Sequence, residues 1–196
     1  KRNTMEEFAN QHDHIYEDDE EQQPYSVWSV IKKYGLFLGI AIVVFNLMTF
    51  LTGMYLHWVA SLVYVLYIAA IVFAHQEYKR KNEGFMSYGQ GVGIGTALTV
   101  IGAGVIGSAF FIFYTTSVEP EIGQKIQEYT EEVSRQLLER WGASEEQIED
   151  SEKNSKQWNT PLIKWIANLF GVALYGVIFS LIISIFTKKK RPLFEY

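Results

Sequence analysis

The glycines Gly89, Gly91, Gly93, Gly95, Gly102, Gly104 and Gly107 crowd into nineteen residues of a 196-residue chain that holds 15 in all. Glycine clusters of this kind cradle phosphate when they follow a strand and open a soluble helix, because the bare backbone N–H groups can approach an anion. Neither context is present around residues 84–118. Two histidines, His12 and His14, lie in an acidic run where they could hold a divalent cation, but a metal site needs a fixed ligand set of correct geometry. His57 and His75 fall near opposite ends of one apolar stretch and cannot share a metal. Adjacent carboxylates occur only as Glu131 with Glu132 and Glu145 with Glu146, in runs that read as solvated helix faces. General acid and base chemistry needs such groups in a cleft with displaced pKa values. With no cysteine, thiol nucleophiles, disulfides and cysteine zinc sites are excluded. The chain is therefore not expected to be an enzyme, and no cofactor or metal is expected.

The elements that position these residues follow from charge spacing. Residues 34–76, 84–118 and 165–187 are runs of 43, 35 and 23 residues without Asp, Glu, Lys or Arg, so all 39 such side chains crowd into the remainder. A water-soluble helix needs a polar outer face along its whole length, which these runs cannot supply. They are long enough to cross a hydrocarbon core of about 30 Å, which takes roughly 20 helical residues. The fold class expected is an all-α integral membrane protein with four transmembrane helices. Helix one is expected over about residues 34–55 and helix two over about 58–76, in a tight hairpin. A tilted helix three over about 88–114 has an interfacial start at 84–87, and helix four covers about 162–187.

Basic residues flank the spans at Lys32 and Lys33, at Lys79 to Lys81, and at Lys188 to Arg191. Four crossings place all three clusters on one side, which the positive-inside rule makes cytoplasmic together with both termini. Lys164, at the outer end of helix four, snorkels to the interface. Residues 1–27 form an acidic cytoplasmic tail, with eight acidic and no basic residues between Glu6 and Glu21. Lys1 is not an initiator, so the native start is expected upstream or at Met5, and no cleavable signal peptide is read. Residues 28–118 hold helices one to three, 119–160 an acidic extracytoplasmic insertion, 161–190 helix four, and 191–196 a cytoplasmic C-terminus.

The insertion has helical periodicity. Pro120 suits a first turn, and Ile122, Ile126, Tyr129, Val133, Leu137 and Trp141 recur at three and four. Gly142 ends this helix, and Ser144 with Gln147 forms a capping box for a second, through about Lys156. The resulting hairpin leaves an apolar stripe to be covered by the membrane surface, by Ile148 of the second helix, or by another protein. Within the membrane, the small residues of helix three, with Gly35 and Gly39 of helix one and Ala167, Gly171, Gly176, Ser180 and Ser184 of helix four, are read as close-packing faces. A bendable helix three, as in transporters with interrupted helices, is the other reading of the same glycines. Asn46 and Asn168 are expected to bond between helices, and His57 and His75 to be interfacial anchors. No ionisable group lies deep in a span, which counts against proton- or sodium-coupled transport.

Three segments together resemble a known family. They are Ile31-Lys32-Lys33-Tyr34-Gly35-Leu36-Phe37-Leu38-Gly39 entering helix one, the link Tyr78-Lys79-Arg80-Lys81-Asn82-Glu83-Gly84-Phe85-Met86-Ser87-Tyr88-Gly89-Gln90-Gly91, and Val118-Glu119-Pro120-Glu121. The chain resembles, over roughly residues 27–190, a family of bacterial four-helix membrane proteins found chiefly in Bacteroidetes and filed as a domain of unknown function. It departs from that family at Gln90, where an acidic residue is common, and in its long acidic tail. The resemblance implies a four-helix topology with an outer helical insertion and a place in the cytoplasmic membrane. It carries over no catalytic residues. It also implies a gene setting similar to that of accessory proteins of envelope and glycosyltransferase systems.

The function expected is a non-enzymatic accessory or scaffold subunit of a bacterial inner-membrane complex. Its partners are the lipid bilayer and other membrane subunits, such as those of an envelope or glycosyltransferase system, or further copies of itself as a homo-oligomer. Nucleic acid is not an expected partner of a chain with net charge −5. The partner-binding residues expected are Ile122, Ile126, Tyr129, Val133 and Leu137 outside, and Gly91, Gly95 and Gly102 in the membrane. The alternative is a small transporter, flippase or channel component acting as an oligomer, with Thr96 and Thr99 beside the bendable stretch.

Overall fold

The computed structural model describes residues 26–157 and 160–190. The acidic run with His12 and His14, and residues 191–196, lie outside them. The described chain is helical throughout: α1 (Val27–Leu51), α2 (Val63–Lys81), α3 (Tyr88–Val118), α4 (Pro120–Arg140), α5 (Glu145–Gln157) and α6 (Pro161–Thr187). Four helical stretches, Val27–Leu51, Trp58–Lys81, Tyr88–Val118 and Pro161–Thr187, are long and apolar enough to cross a membrane.

The breaks have local causes. At the end of α1 the Thr52 hydroxyl donates to the Met48 carbonyl at 2.8 Å, and Gly53 adopts a left-handed φ of 70°, which only glycine takes without steric cost. The chain then reaches α2 through 3₁₀ turns at Met54–Leu56 and Trp58–Leu62. Ser87 and Gln90 close a reciprocal capping box that starts α3. Pro120 stands in the first turn of α4, Gly142 ends the hairpin turn with φ 82°, and Ser144 and Gln147 cap α5 reciprocally. Helix α1 begins before its expected start and α2 runs past its expected end, because loss of hydropathy marks where a helix leaves lipid and not where its hydrogen bonds stop, while the turns between them take up residues expected at the far ends of both helices.

Helix α3 is the central strut, packed against α1, α2 and α6. It is continuous but not uniformly α-helical: Val100–Gly107 and Tyr114–Val118 are wound as π-helix. The wider turn lets the Ser108 hydroxyl reach the carbonyl of Ala103, five residues back, at 2.9 Å. The buried core runs through Leu38 and Ile42 of α1, Ile71 of α2, and Ile94 and Leu98 of α3. The opposite surfaces of the spans present large apolar side chains, including Phe37, Met48, Phe73, Phe113, Phe170 and Phe186, as helices facing hydrocarbon do.

One further contact closes the bundle at its basic end. Met86, in the link before α3, and Lys189, after α6, form an isolated antiparallel bridge with both backbone hydrogen bonds at 2.9 Å. The Lys189 ammonium lies over the Phe85 ring and that of Lys188 over the Tyr88 ring.

Candidate functional site

The glycines of α3 are filled by the chain itself. A methyl group on Gly91 would lie 3.2 Å from the Ser184 Cβ, and one on Gly95 would lie 2.9 Å from the Ser180 Cβ, both on α6. On Gly102 it would meet the Gly35 carbonyl oxygen at 2.6 Å and the Gly39 nitrogen at 3.0 Å, both backbone atoms of α1. Gly91, Gly95 and Gly102, expected to receive a partner subunit, are buried in contacts within this chain. Close packing through small residues is correct, but its recipients are α1 and α6 of the same molecule. Asn168 does bond between helices, donating to the Ser108 hydroxyl at 3.0 Å. Thr99 is buried and donates to the Gly95 carbonyl at 2.7 Å, while the Thr96 hydroxyl is buried without a hydrogen-bond partner.

Two polar clusters at the basic end were not foreseen. The Glu77 carboxylate accepts from the Lys33 ammonium at 2.5 Å and the Tyr34 hydroxyl at 2.8 Å, with the Lys81 ammonium at 3.6 Å. His75 is fully buried, not an interfacial anchor. Its Nε2 lies 2.8 Å from the Gly91 carbonyl oxygen and so carries a proton, and its Nδ1 lies 2.9 Å from the Thr187 hydroxyl. The signal for this burial was in the spacing: Tyr67, Ile71, Ala74, His75 and Tyr78 form one stripe at helical period, and that stripe is the buried face of α2. These clusters join α1 to α2 and α2 to α3 and α6. Among the described residues no three His, Asp or Glu side chains are placed to hold a metal.

The α4–α5 hairpin offers the most accessible chemistry. It closes through Ile148, which is 1% exposed. Ion pairs of Arg135 to Glu145 and, at 3.6 Å, to Glu152 tie its two helices together, and a third, to Glu139 at 3.2 Å, lies within α4. The hydrogen bond that Arg135 donates to Glu139 and the charges of Glu145 and Glu152 hold the Arg135 guanidinium above its ordinary pKa. The expected stripe is elsewhere on α4. Ile122 and Ile126 are half-buried, whereas Tyr129, Val133 and Leu137 are 51%, 44% and 43% exposed, and Trp141 is 76% exposed. Ile148 does not cover them.

A groove of about 380 Å³ lies between α4, α5 and the start of α6. Leu138, Ile148, Ile163 and Ala167 line it together with the hydroxyls of Thr130, Ser134, Ser151 and Ser155 and the charged groups Glu131, Arg135, Glu152 and Lys164. The Gln127 side-chain amide links two of these charges, accepting from the Lys164 ammonium at 3.1 Å and donating to the Glu131 carboxylate at 2.8 Å.

Four apolar helices about a glycine-packed central strut, with an amphipathic hairpin between the third and fourth, define an all-helical, multi-pass membrane protein. The chain belongs to the family described as Protein of unknown function (DUF4199), whose model matches residues 33–189. No match was found among curated proteins or among solved structures.

Proposed function

We propose that the protein is a non-enzymatic accessory or scaffold subunit of a bacterial inner-membrane complex, with both termini cytoplasmic and the α4–α5 hairpin on the far side. One observation carries this reading: Tyr129, Val133, Leu137 and Trp141 remain open along α4 although the hairpin has already closed on Ile148. Aromatic residues on a helix face are the anchors that interfaces favour. The filled glycines narrow the proposal, since they leave the hairpin and the lipid-facing surfaces as the sites for other chains. The expected occupant of the stripe is an apolar face on another envelope or glycosyltransferase-type membrane subunit, with Ile122 and Ile126 at its membrane-proximal end. Purification in mild detergent followed by mass spectrometry tests this. A partner held at fixed stoichiometry, and lost on combining Val133→Asp with Leu137→Asp, is the expected result. Recovery of the wild type only as an isolated monomer would overturn it.

A second reading, a small transporter, flippase or channel component acting as an oligomer, draws on the π-helical stretch Val100–Gly107. Such turns recur at functional sites in helices. Liposomes containing the protein that pass no ions, lipids or small solutes would remove this reading.

A further inference from the structure

The groove beside the hairpin holds two charges that are kept apart. Arg135 is surrounded by Glu139, Glu145 and Glu152, so its charge is satisfied within the hairpin. Lys164 and Glu131 are different: among the described residues neither forms an ion pair, and each ends on the neutral Gln127 amide. An ammonium and a carboxylate are thus presented to one cavity with an uncharged spacer between them. Such an arrangement complements a ligand that carries a negative and a positive group a short distance apart, because each of its ends gains a charge-assisted hydrogen bond.

Position selects the kind of zwitterion. Lys164 stands in the first turn of α6, a helix apolar enough to cross a membrane. The groove floor at Ile163 and Ala167 continues onto a surface where Ile166 and Phe170 are exposed. A headgroup in the groove would leave its acyl chains along that apolar face. The volume of 380 Å³ is within the range of about 300–1,000 Å³ for small-molecule sites. We infer that this groove binds the headgroup of a zwitterionic phospholipid bearing a primary ammonium, with the phosphate on Lys164 and the ammonium on Glu131. An anionic lipid would leave Glu131 facing uncompensated negative charge, and a quaternary ammonium has no N–H to donate to it.

The test uses the full chain in nanodiscs of phosphatidylcholine containing equal mole fractions of phosphatidylethanolamine and phosphatidylglycerol. Lipids retained after transfer to detergent are counted by native mass spectrometry. The wild type is expected to retain phosphatidylethanolamine about tenfold over phosphatidylglycerol, a difference of about 1.4 kcal/mol. Lys164→Gln should remove that enrichment, and Glu131→Gln should shift it toward phosphatidylglycerol by relieving repulsion. Ala167→Trp, which fills the floor and leaves both charges in place, should also abolish retention. Wild-type retention without preference, or undiminished preference in both charge variants with native helicity, would overturn the proposal.

Discussion

Replacing Gly102 by alanine probes the packing that shapes the whole bundle. The added methyl would sit 2.6 Å from the Gly35 carbonyl oxygen, 2.9 Å from the Leu38 Cβ and 3.0 Å from the Gly39 nitrogen. Two of these atoms belong to the α1 backbone, so no side-chain rotation can relieve the contact and α1 must move away from α3. Overpacking of this kind costs about 1–3 kcal/mol, and contact with backbone places it toward the upper end. Alanine offsets about 1 kcal/mol through its better helix propensity. The net expectation is a loss of about 1–2 kcal/mol. Gly93 is the internal control: it lies in the same helix, and a methyl there would meet nothing within 4 Å. Gly93→Ala should therefore gain about 0.5–1 kcal/mol from propensity alone. The two variants should differ by roughly 1.5–3 kcal/mol, which is at least a tenfold change in the unfolding equilibrium. Unfolding of both in mixed micelles of mild detergent and dodecyl sulfate, followed by circular dichroism, measures that difference. If Gly102→Ala proved as stable as Gly93→Ala, the close approach of α1 and α3 would be wrong.

Three other perturbations have definite outcomes. Glu77→Gln removes the negative charge that Lys33 and Tyr34 share, leaving a single neutral amide oxygen to accept, and should lower stability by about 1–2 kcal/mol, with Lys33 partly solvated and so only weakly penalised; the same unfolding assay reads it. His75→Leu removes the hydrogen bond to the Gly91 carbonyl and the contact with the Thr187 hydroxyl, which still donates to the Ile183 carbonyl, and should cost about 0.5–1.5 kcal/mol for each hydrogen bond lost, so that a variant as stable as wild type would contradict the burial of that ring. Ile148→Ala should release α5 from α4 at a cost of about 2–4 kcal/mol to the hairpin alone, seen as faster hydrogen exchange over residues 145–157 with the spans unchanged.

The runs without charge made four apolar helices legible, since no soluble packing hides so many unbroken apolar faces. The hairpin caps were legible for a different reason: Pro120, Gly142 and the pair Ser144 and Gln147 act within a few residues of themselves. What lay out of reach depended on which helix meets which. Small residues at Gly91, Gly95 and Gly102 announce close approach but do not say whether the neighbour is the same molecule or another, and here it is the same one. Glu77 and His75 stand at the edge of an apolar run, where position along the chain reads as interface. Only the docking of α1, α3 and α6 around α2 makes those two side chains buried. The Lys164, Gln127 and Glu131 alignment joins residues 37 apart in sequence and has no periodicity to reveal it.

The bridge between Met86 and Lys189 also sets an order in time. Residues separated by about half of the chain share both of its hydrogen bonds, so a nascent polypeptide holds the first three spans before the segment that closes them has been made. Until α6 arrives, the Ser180 and Ser184 sides of Gly95 and Gly91 are empty and the groove beside Lys164 does not exist. The fourth span is therefore the one that completes the packing of the other three. A ribosome that stalls before residue 161 leaves an open three-helix intermediate, with its small-residue seam exposed.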